Sequence, residues 1–394
     1  MRIGIFTECY KPVINGVVNS VIGFKSGLEE LGHEVFVFCP TYNDYIDDPR
    51  DKNIIHCPSF PIPGKSGYHY IFSLNKKIKD LAKTMDIIHV QHPFIMGARA
   101  VSVSKEFNIP IAFTNHTQYD QYLHYIPLLN AKTSMKILLN YLHGFTKKLD
   151  LIIAPAKGIK NKLESFGVKT PIEIVPNGID TKKFNAVTSS KEINIIRKKL
   201  LIDPDYKILI YTGRIAEEKN LTFLLKCFQK LIVERPKTFL ILAGGGLEIE
   251  KFKKMIIDLK LTKNACITGF ISYDEVAKYL DASDMYVTCS KSEVHPLTLL
   301  EAMASGLPSV IVKAPGTGDI ITDNVDGLIA NENIDDAIKK ITALLANKKL
   351  YSIISNSALK TSSKYSIIST TKRLLEAYGI TIKNHKKRRG KWIY

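Results

Sequence analysis

Short runs of apolar, β-branched residues alternate with longer amphipathic stretches along the chain. In the first half the runs predict buried strands at Arg2–Phe6, Glu34–Cys39, Ile87–Gln91, Ile111–Thr114, Leu151–Ala154 and Ile172–Val175. Between the first two runs, Asn19–Leu31 has a helical pattern that stops at Gly32, which gives a strand–helix–strand unit. This alternation is typical of a parallel α/β fold.

The alternation restarts after Phe184–Lys199, a polar and irregular stretch that we interpret as an interdomain linker. The later pattern predicts a helix at Leu221–Glu234 and strands at Lys207–Tyr211, Thr238–Ala243, Cys266–Gly269, Met285–Cys289 and Ser309–Val312. Two α/β units of similar size predict a cleft faced by the carboxyl ends of the strands, where such sheets bind ligands. A last helix, Tyr365–Tyr378, precedes a basic tail.

Length and composition agree with two globular domains. The chain has 394 residues, 45% hydrophobic and 24% charged. We place the domains at 1–178 and 179–364, with 365–394 forming a C-terminal helix that returns to the first domain and a basic tail. The apolar start is too short for a signal peptide, and no apolar run approaches the roughly 18 residues of a spanning helix. Six cysteines without CxxC pairs indicate reduced core residues rather than a zinc site or a disulfide framework.

The net charge of +17 suits a polyanionic partner. Nucleic acid, an anionic membrane and phosphorylated small molecules all fit, and a lysine-rich genome bias accounts for part of the excess. Bias does not explain why basic residues concentrate near the last residues of the sequence.

The densest group of candidate catalytic residues follows the predicted strand Met285–Cys289. Glu293 lies in the loop of SEVHPLTLLEAMASGLP, and Glu301 lies in a helix that begins near Leu297. Backbone N–H groups at the start of this helix suit a phosphate, and a carboxylate beside them can bind sugar hydroxyls. The alternative is a capping Glu293 and an exposed Glu301. The candidate donor-binding residues of this loop are Val294, His295, Pro296, Leu297 and Thr298.

Two further groups of candidate residues follow predicted strands. In GRIAEEKN, after Lys207–Tyr211, Gly213 precedes Arg214 and Lys219, a planar fork and a point charge that can clamp a diphosphate. These cations can replace a metal ion, and because no Asp-x-Asp motif lies at a suitable place we expect no metal. After the first strand, Gly16 allows close approach of the backbone to a phosphate, although a glycine there is also an ordinary turn residue.

These segments resemble the retaining glycosyltransferases of family 4, which have the GT-B fold, and the resemblance covers nearly the whole chain. The family signature is a pair of glutamates separated by seven residues. The resemblance implies that Glu293 contacts the donor sugar, that Glu301 contacts the nucleotide ribose, and that Arg214 and Lys219 hold the pyrophosphate. Where the family often has Gly-Phe-Gly, this chain has Val294–Pro296, which leaves the identity of the sugar open.

The resemblance also assigns residues outside these segments. It implies that Gly16 touches the donor phosphates and that Gly269–Phe270 lies near the nucleotide base. His116, in TNHTQYD after Ile111–Thr114, corresponds to the active-site histidine, and Asp120 is a candidate for the acceptor side. Pro176–Asp180 resembles the hinge motif. The family's usual front-face attack needs no enzymatic nucleophile. The catalytic candidates that the resemblance implies are His116, Glu293, Arg214 and Lys219.

Two segments, Gly4–Val18 and Asn115–Gln121, most resemble the bacterial 1,2-diacylglycerol glycosyltransferases of this family. The resemblance implies transfer of glucose or galactose from a UDP-sugar to diacylglycerol, without a cofactor and with activation by anionic lipid. It places the enzyme peripherally on the cytoplasmic side of the cell membrane. The candidate membrane-binding residues, in a basic amphipathic helix and the tail, are Lys132, Lys136, Lys147, Lys148, Lys386, Lys387, Arg388, Arg389 and Trp392.

Several alternatives stay open. The basic helix also fits ordinary packing on its own domain, and the tail fits a disordered, solvated segment. The same donor site serves a soluble transferase acting on a sugar phosphate, an inositol phosphate or a polysaccharide. A sugar-nucleotide epimerase shares the GT-B architecture without the paired glutamates. A nucleic-acid binder explains the charge, but the chain has no recognisable nucleic-acid module and we expect no such partner.

Overall fold

The computed structural model describes residues 1–62, 68–118, 131–186, 188–314 and 316–390, without the side chains of residues 131, 132, 389 and 390. The chain divides into two compact units. The first unit is Met1–Gly178 together with Ile367–Tyr394, and the second unit is Ile179–Ser366. The interpretation of Phe184–Lys199 as a linker is wrong, because this stretch lies inside the second unit and buries Phe184 and Ile196 in its core.

The first unit contains a parallel sheet and a short antiparallel ribbon. Its strands are β1 (Arg2–Phe6), β2 (Glu34–Pro40), β3 (Ile54–Cys57), β4 (Ser59–Pro61), β5 (His69–Ile71), β6 (Ile87–Val90), β7 (Ile111–Thr114), β8 (Leu151–Ala154) and β9 (Ile172–Ile174). Within the described residues, seven of them form one parallel sheet in the order β3-β2-β1-β6-β7-β8-β9, and β4 pairs with β5. The helices of this part are α1 (Gly16–Glu30), α2 (Lys76–Ala82), α3 (Ile95–Phe107), α4 (Ala131–Thr146) and α5 (Lys157–Ser165).

The second unit repeats the same plan. Its strands are β10 (Lys207–Thr212), β11 (Thr238–Ala243), β12 (Ala265–Gly269), β13 (Met285–Thr288), β14 (Ser309–Val312) and β15 (Leu328–Ala330). In the part of this unit that is described, they form a six-stranded parallel sheet in the order β12-β11-β10-β13-β14-β15. Its helices are α6 (Thr181–Phe184), α7 (Ser190–Lys199), α8 (Leu221–Glu234), α9 (Ile249–Asp258), α10 (Tyr273–Asp281), α11 (Leu297–Ala304), α12 (Ile334–Ala346) and α13 (Lys348–Ser362).

The fold class expected from the sequence is confirmed: both units are α/β with parallel sheets. Strands such as β7, β8 and β11 are buried at every position, since a parallel sheet covered by helices is dry on both faces. Such strands appear in a sequence as unbroken apolar runs, which is why the pattern located them.

The last helix, α14 (Ile367–Gly390), packs on α1 of the first unit. It buries Leu374 and Tyr378, and the Tyr378 hydroxyl lies 2.6 Å from Nδ1 of His89. The sequence pattern predicted this helix only to Tyr378, whereas the structure continues it through the basic residues to Gly390. Within the residues described, no helix is both long and apolar enough to cross a membrane.

Candidate active site

In the second unit the candidate residues gather where the strand order reverses direction. From β10 the chain continues to β11 on one side of it, and β13 lies on its other side. The loops that follow β10 and β13 therefore leave the carboxyl edge of the sheet in opposite directions. Parallel α/β sheets bind ligands in the crevice that such a reversal opens. The loop after β10 carries Gly213, Arg214 and Lys219, and the loop after β13 carries Glu293.

These two loops are joined by an ion pair. Nζ of Lys219 donates to Oε1 of Glu293 at 2.7 Å, and both side chains are mostly buried. Burial raises the pKa of Glu293, but the charge and the hydrogen bond of Lys219 outweigh this effect and leave the pKa below its ordinary value. Glu293 is therefore ionised at neutral pH. The structure brings together a cation and a carboxylate that the sequence places 74 residues apart.

Arg214 makes an ion pair within its own loop. Its guanidinium pairs with Glu218, four residues further on in the same loop, and most of its side chain is exposed. The Tyr211 hydroxyl donates to the carbonyl of Arg214 at 3.0 Å and fixes the loop backbone. The assignment of Arg214 to the diphosphate stays a prediction.

The loop after β10 packs against the loop after β11 through glycine. A Cβ on Gly244 would lie 1.8 Å from the carbonyl oxygen of Gly213, and Gly244 has φ of +158°. No other residue allows this approach without moving the backbone. Gly213 also has a positive φ, +144°. The glycines therefore set the shape of the edge that carries Arg214 and Lys219.

Glu301 lies within α11, as the sequence predicted, and it is not the exposed helical residue of the alternative interpretation. Its relative exposure is 3%. Burial raises its pKa to about 7, against the opposing effects of a hydrogen bond from Tyr273 and the charge of Lys183. Nζ of Lys183 lies 4.0 Å from the centre of the Tyr273 ring. A carboxylate poised near neutral pH can accept hydrogen bonds from a diol such as a ribose.

The remaining candidates of the second unit lie at the start of α11 and at the end of β12. Helix α11 begins at Leu297 with Pro296 at its N-cap, and Val294, His295 and Leu297 are buried. The hydroxyl of Thr298 is 3.0 Å from that of Tyr286. Burial lowers the pKa of His295 to about 3, so its ring is neutral, and it packs on Tyr365. At the end of β12, Gly269 has φ of +73° and the Phe270 side chain is exposed.

In the first unit, the candidates are Gly16, at the start of α1, and His116, two residues after β7. Gly16 opens α1, and a Cβ there would meet no atom within 4 Å. His116 follows β7, and its Nε2 is 2.7 Å from Oε1 of Gln91, which follows β6. Burial lowers the pKa of His116 well below its usual range, with His92 and His89 adding to the shift. The ring is therefore neutral, with Nε2–H donating to Oε1 of Gln91.

Three polar residues of the first unit were missed by the sequence analysis: Glu8, Gln91 and His92. The backbone N–H of Glu8 donates to Nδ1 of His92 at 3.2 Å, and Oε1 of Glu8 accepts from the N–H of Met96 at 3.0 Å. Burial lowers the pKa of His92 to about 4. Like the second-unit site, this group lies where the strand order reverses, between β1 and β6. Their positions at or just after the ends of predicted strands were the available signal.

Several predicted residues concern the membrane and acceptor side, and some of them lie outside the described residues. Asp120 and Trp392 lie outside the described residues, as do the side chains of Lys132 and Arg389. Lys136, Lys147 and Lys148 on and after α4 are exposed, and so are Lys386, Lys387 and Arg388 on α14. Among the side chains described, no group of three or more His, Cys, Asp or Glu could hold a metal ion.

Two parallel α/β units, each with polar side chains where its strand order reverses, define the class of GT-B proteins. The family model "Glycosyltransferase Family 4" matches residues 14–183, and "Glycosyl transferases group 1" matches residues 192–361. The chain is 33% identical to the α-monoglucosyldiacylglycerol synthase of Streptococcus pneumoniae, over 84% of this chain and 75% of that protein. It is 32% identical to the synthase of the same name from Acholeplasma laidlawii, over 84% and 85%. The chain belongs to the family 4 glycosyltransferases.

Solved structures agree on the fold. The chain superposes on Anabaena HepE in complex with UDP and glucose with a TM-score of 0.76 and 16% identity, covering 96% of this chain and 99% of that one. A sucrose-phosphate synthase from Thermosynechococcus elongatus gives a TM-score of 0.77, also at 16% identity, covering 97% and 99%. The resemblance to family 4 is thus confirmed and the protein is a glycosyltransferase, while the roles of the individual residues stay predictions.

Proposed function

We propose that the protein transfers glucose from UDP-glucose to 1,2-diacylglycerol with retention of configuration, giving α-monoglucosyldiacylglycerol. The observation that carries the transferase chemistry is the buried Lys219–Glu293 pair beside Arg214 at the reversal of strand order in the second unit. The choice of sugar and lipid is supported by the names of the two relatives, both α-monoglucosyldiacylglycerol synthases.

The proposed donor site assigns each charged group a separate part of UDP-glucose. Lys219 and the exposed Arg214 bind the diphosphate, where fixed cations stabilise the charge that develops as the phosphate leaves. Ionised Glu293 accepts hydrogen bonds from the sugar hydroxyls while its ion pair with Lys219 keeps both groups in position. Glu301 accepts hydrogen bonds from the ribose. The departing phosphate takes the proton of the acceptor hydroxyl in a front-face attack.

The proposed acceptor side is the first unit. The neutral His116 and its partner Gln91 present a fixed ring tautomer at the end of β7. We place the enzyme peripherally on the cytoplasmic face of the cell membrane, held by the exposed lysines of α4 and the basic end of α14. Diacylglycerol reaches the protein only from a bilayer, because its acyl chains are insoluble in water.

Radiolabelled UDP-glucose and UDP-galactose, each offered with vesicles of diacylglycerol and phosphatidylglycerol, test the proposal. We expect a labelled monoglucosyl lipid with UDP-glucose, and a loss of about 100-fold or more in kcat/KM for Lys219→Ala. Lys230→Ala is the matched control, because Lys230 pairs with Asp335 in an exposed position of the same unit. If neither donor gives a lipid product, or if only soluble sugar acceptors are glycosylated, the proposed acceptor is wrong.

A further inference from the structure

The antiparallel ribbon of the first unit, β4 with β5, has one buried face and one aromatic face. Phe60 lies directly opposite Tyr70, and Phe72 follows Tyr70 by two positions. Because side chains alternate between the two faces of a strand, these three rings share a face. Ile71 points the other way and is fully buried. The ribbon is therefore covered by the protein on one side only.

The aromatic face is exposed although its rings pack together. Phe60, Tyr70 and Phe72 have relative exposures of 41%, 38% and 52%. The Phe60 ring centre lies 4.4 Å from that of Phe72 and 5.4 Å from that of Tyr70. The outer face of an antiparallel ribbon ordinarily carries polar side chains. A contiguous apolar patch in this place marks a surface that meets something other than water.

The ribbon is anchored, so the exposure belongs to the folded protein. The backbone N–H of Thr41 donates to Oγ of Ser59 at 3.1 Å, and that hydroxyl donates to the carbonyl of Thr41 at 3.2 Å. Immediately after the other strand, the guanidinium of Arg99 on α3 donates to the carbonyl of Phe72. These bonds tie both strands to the body of the first unit.

Helix α3 connects the ribbon to a second exposed aromatic pair. Phe94, at the N-cap of α3, stacks on Tyr141 of α4 with ring centres 5.9 Å apart, and both rings are exposed. Ile137, one turn before Tyr141, is exposed as well. The exposed cations Lys136, Lys147 and Lys148 belong to or follow the same helix. Most of the net charge of +17 lies in the first unit.

We propose that the aromatic face of this ribbon, Phe60, Tyr70 and Phe72, inserts into the interfacial zone of an anionic lipid bilayer and docks the first unit on the membrane. The inference rests on the proposed function, since a diacylglycerol acceptor requires contact with a bilayer. Aromatic rings favour the headgroup region, and neighbouring cations are attracted to an anionic leaflet. The cations attract the first unit to the anionic leaflet, and the three aromatic rings stabilise its binding to the headgroup region.

Sedimentation of the full chain with vesicles tests the ribbon directly. We expect Phe60→Ser/Phe72→Ser to weaken binding about tenfold to phosphatidylcholine vesicles and to vesicles containing phosphatidylglycerol, because the lost contact is apolar. Lys147→Gln/Lys148→Gln should weaken binding only to the anionic vesicles, and this loss should vanish in high salt. Val233→Ser/Leu247→Ser is the matched control, with exposures of 82% and 99% in the second unit.

A fluorescence measurement checks insertion independently of the loss of binding. Trp392 is the single tryptophan of the sequence, so Phe72→Trp in a Trp392→Phe background reports on the ribbon alone. We expect a blue shift of its emission on adding vesicles and quenching by lipid-borne quenchers. An unshifted emission with vesicle-bound protein overturns the inference, because the ribbon then stays in water.

Two other outcomes also decide the matter. If Phe60→Ser/Phe72→Ser binds vesicles like the unchanged chain but alters the oligomeric state in light scattering, the face is covered by a second copy and the inference is wrong. Failure of the proposed function looks different. In that case no glycolipid forms from diacylglycerol, while vesicle binding and its loss in the double variant remain measurable.

Discussion

At the scale of single residues, Glu293 and Glu301 show that the pKa of a buried carboxylate depends on the groups beside it. Both are shielded from water, which favours the neutral acid. Glu293 has Lys219 at hydrogen-bonding distance and stays ionised. Glu301 has a tyrosine hydroxyl and a more distant lysine, and its pKa rises to about 7. One carboxylate is thus charged at neutral pH, and the other has its pKa near neutral pH.

The titration of Glu301 predicts a dependence of stability on pH. An acid with a pKa of about 7 in the folded state and 4.5 in the unfolded state holds its proton more tightly when folded. Between these values the folded state binds more protons, so the free energy of unfolding falls as pH rises, by about 3 kcal/mol in total. Glu301→Gln removes this slope. Urea unfolding of both proteins at pH 5 and pH 8 measures it.

The change in the free energy of unfolding between pH 5 and pH 8 is compared between Glu301→Gln and the unchanged chain, so that the contributions of other titrating groups cancel. We expect Glu301→Gln to gain stability relative to the unchanged chain as pH is raised from 5 to 8. An equal change in the two proteins would mean that Glu301 does not titrate in this range.

At the scale of elements, the loops that leave the strand ends use glycine for two different purposes. Gly244 is enclosed, since any side chain there would strike the backbone of Gly213. Gly16 faces open space at the start of α1, so nothing inside the protein demands a glycine there. A ligand that approaches the N–H groups of the first helical turn would explain why position 16 is a glycine, which the protein's own packing does not explain.

Gly16→Ala tests this difference. If Gly16 contacts the donor phosphates as proposed, we expect an unchanged melting temperature and a rise of about tenfold or more in KM for the sugar nucleotide, because an added methyl group would obstruct that contact. Gly379→Ala is the matched control, since it also meets no atom within 4 Å but lies in α14. Unchanged KM in Gly16→Ala contradicts the phosphate contact.

Which elements the sequence revealed depends on how they are buried. Strands β7, β8, β11 and β14 were predicted at their observed bounds, because they are buried at every position and mostly apolar. The short, partly exposed strands β3, β4, β5 and β15 were missed, since they lack such runs. Helix α1 begins at Gly16 rather than Asn19, because Asn15 caps it by accepting from Val18.

The candidate site was predictable as residue types at strand ends but not as contacts. The contact between Lys219 and Glu293 depends on β10 and β13 being neighbours in the sheet, which no local sequence pattern predicts. The pairing of Arg214 with Glu218 and the burial of Glu301 likewise depend on how the loops fold back. Glu8, Gln91 and His92 escaped notice because an isolated polar residue after a strand is usually unremarkable.

At the scale of the whole molecule, charge is distributed unevenly between the two units. The first unit has most of the excess charge, and α14 extends that charge along one of its edges. His385 and Arg388 both contact Asp150, at 3.0 and 3.3 Å, which holds the basic end of the helix against the first unit. This arrangement suits a protein whose first unit approaches an anionic surface.

Removing residues 383–394 tests the role of this basic end. Each of its cations contributes about 1 kcal/mol near an anionic leaflet, so we expect weaker binding to phosphatidylglycerol vesicles and an unchanged KM for the sugar nucleotide. Lys253→Gln/Lys254→Gln on α9 is the control for charge loss elsewhere. Equal vesicle binding by the truncated and full chains in low salt would contradict the prediction.

The return of the chain to its first unit has a consequence for biosynthesis. Every residue of the second unit leaves the ribosome before α14 does. At 5–20 residues per second, the stretch between Gly178 and Ile367 takes roughly 10 to 40 s to synthesise. During that interval the groove that receives Leu374 and Tyr378 is empty, and His89 lacks its tyrosine partner. The unit translated second is therefore the first to be complete, and the nascent first unit waits for the last helix to close its core.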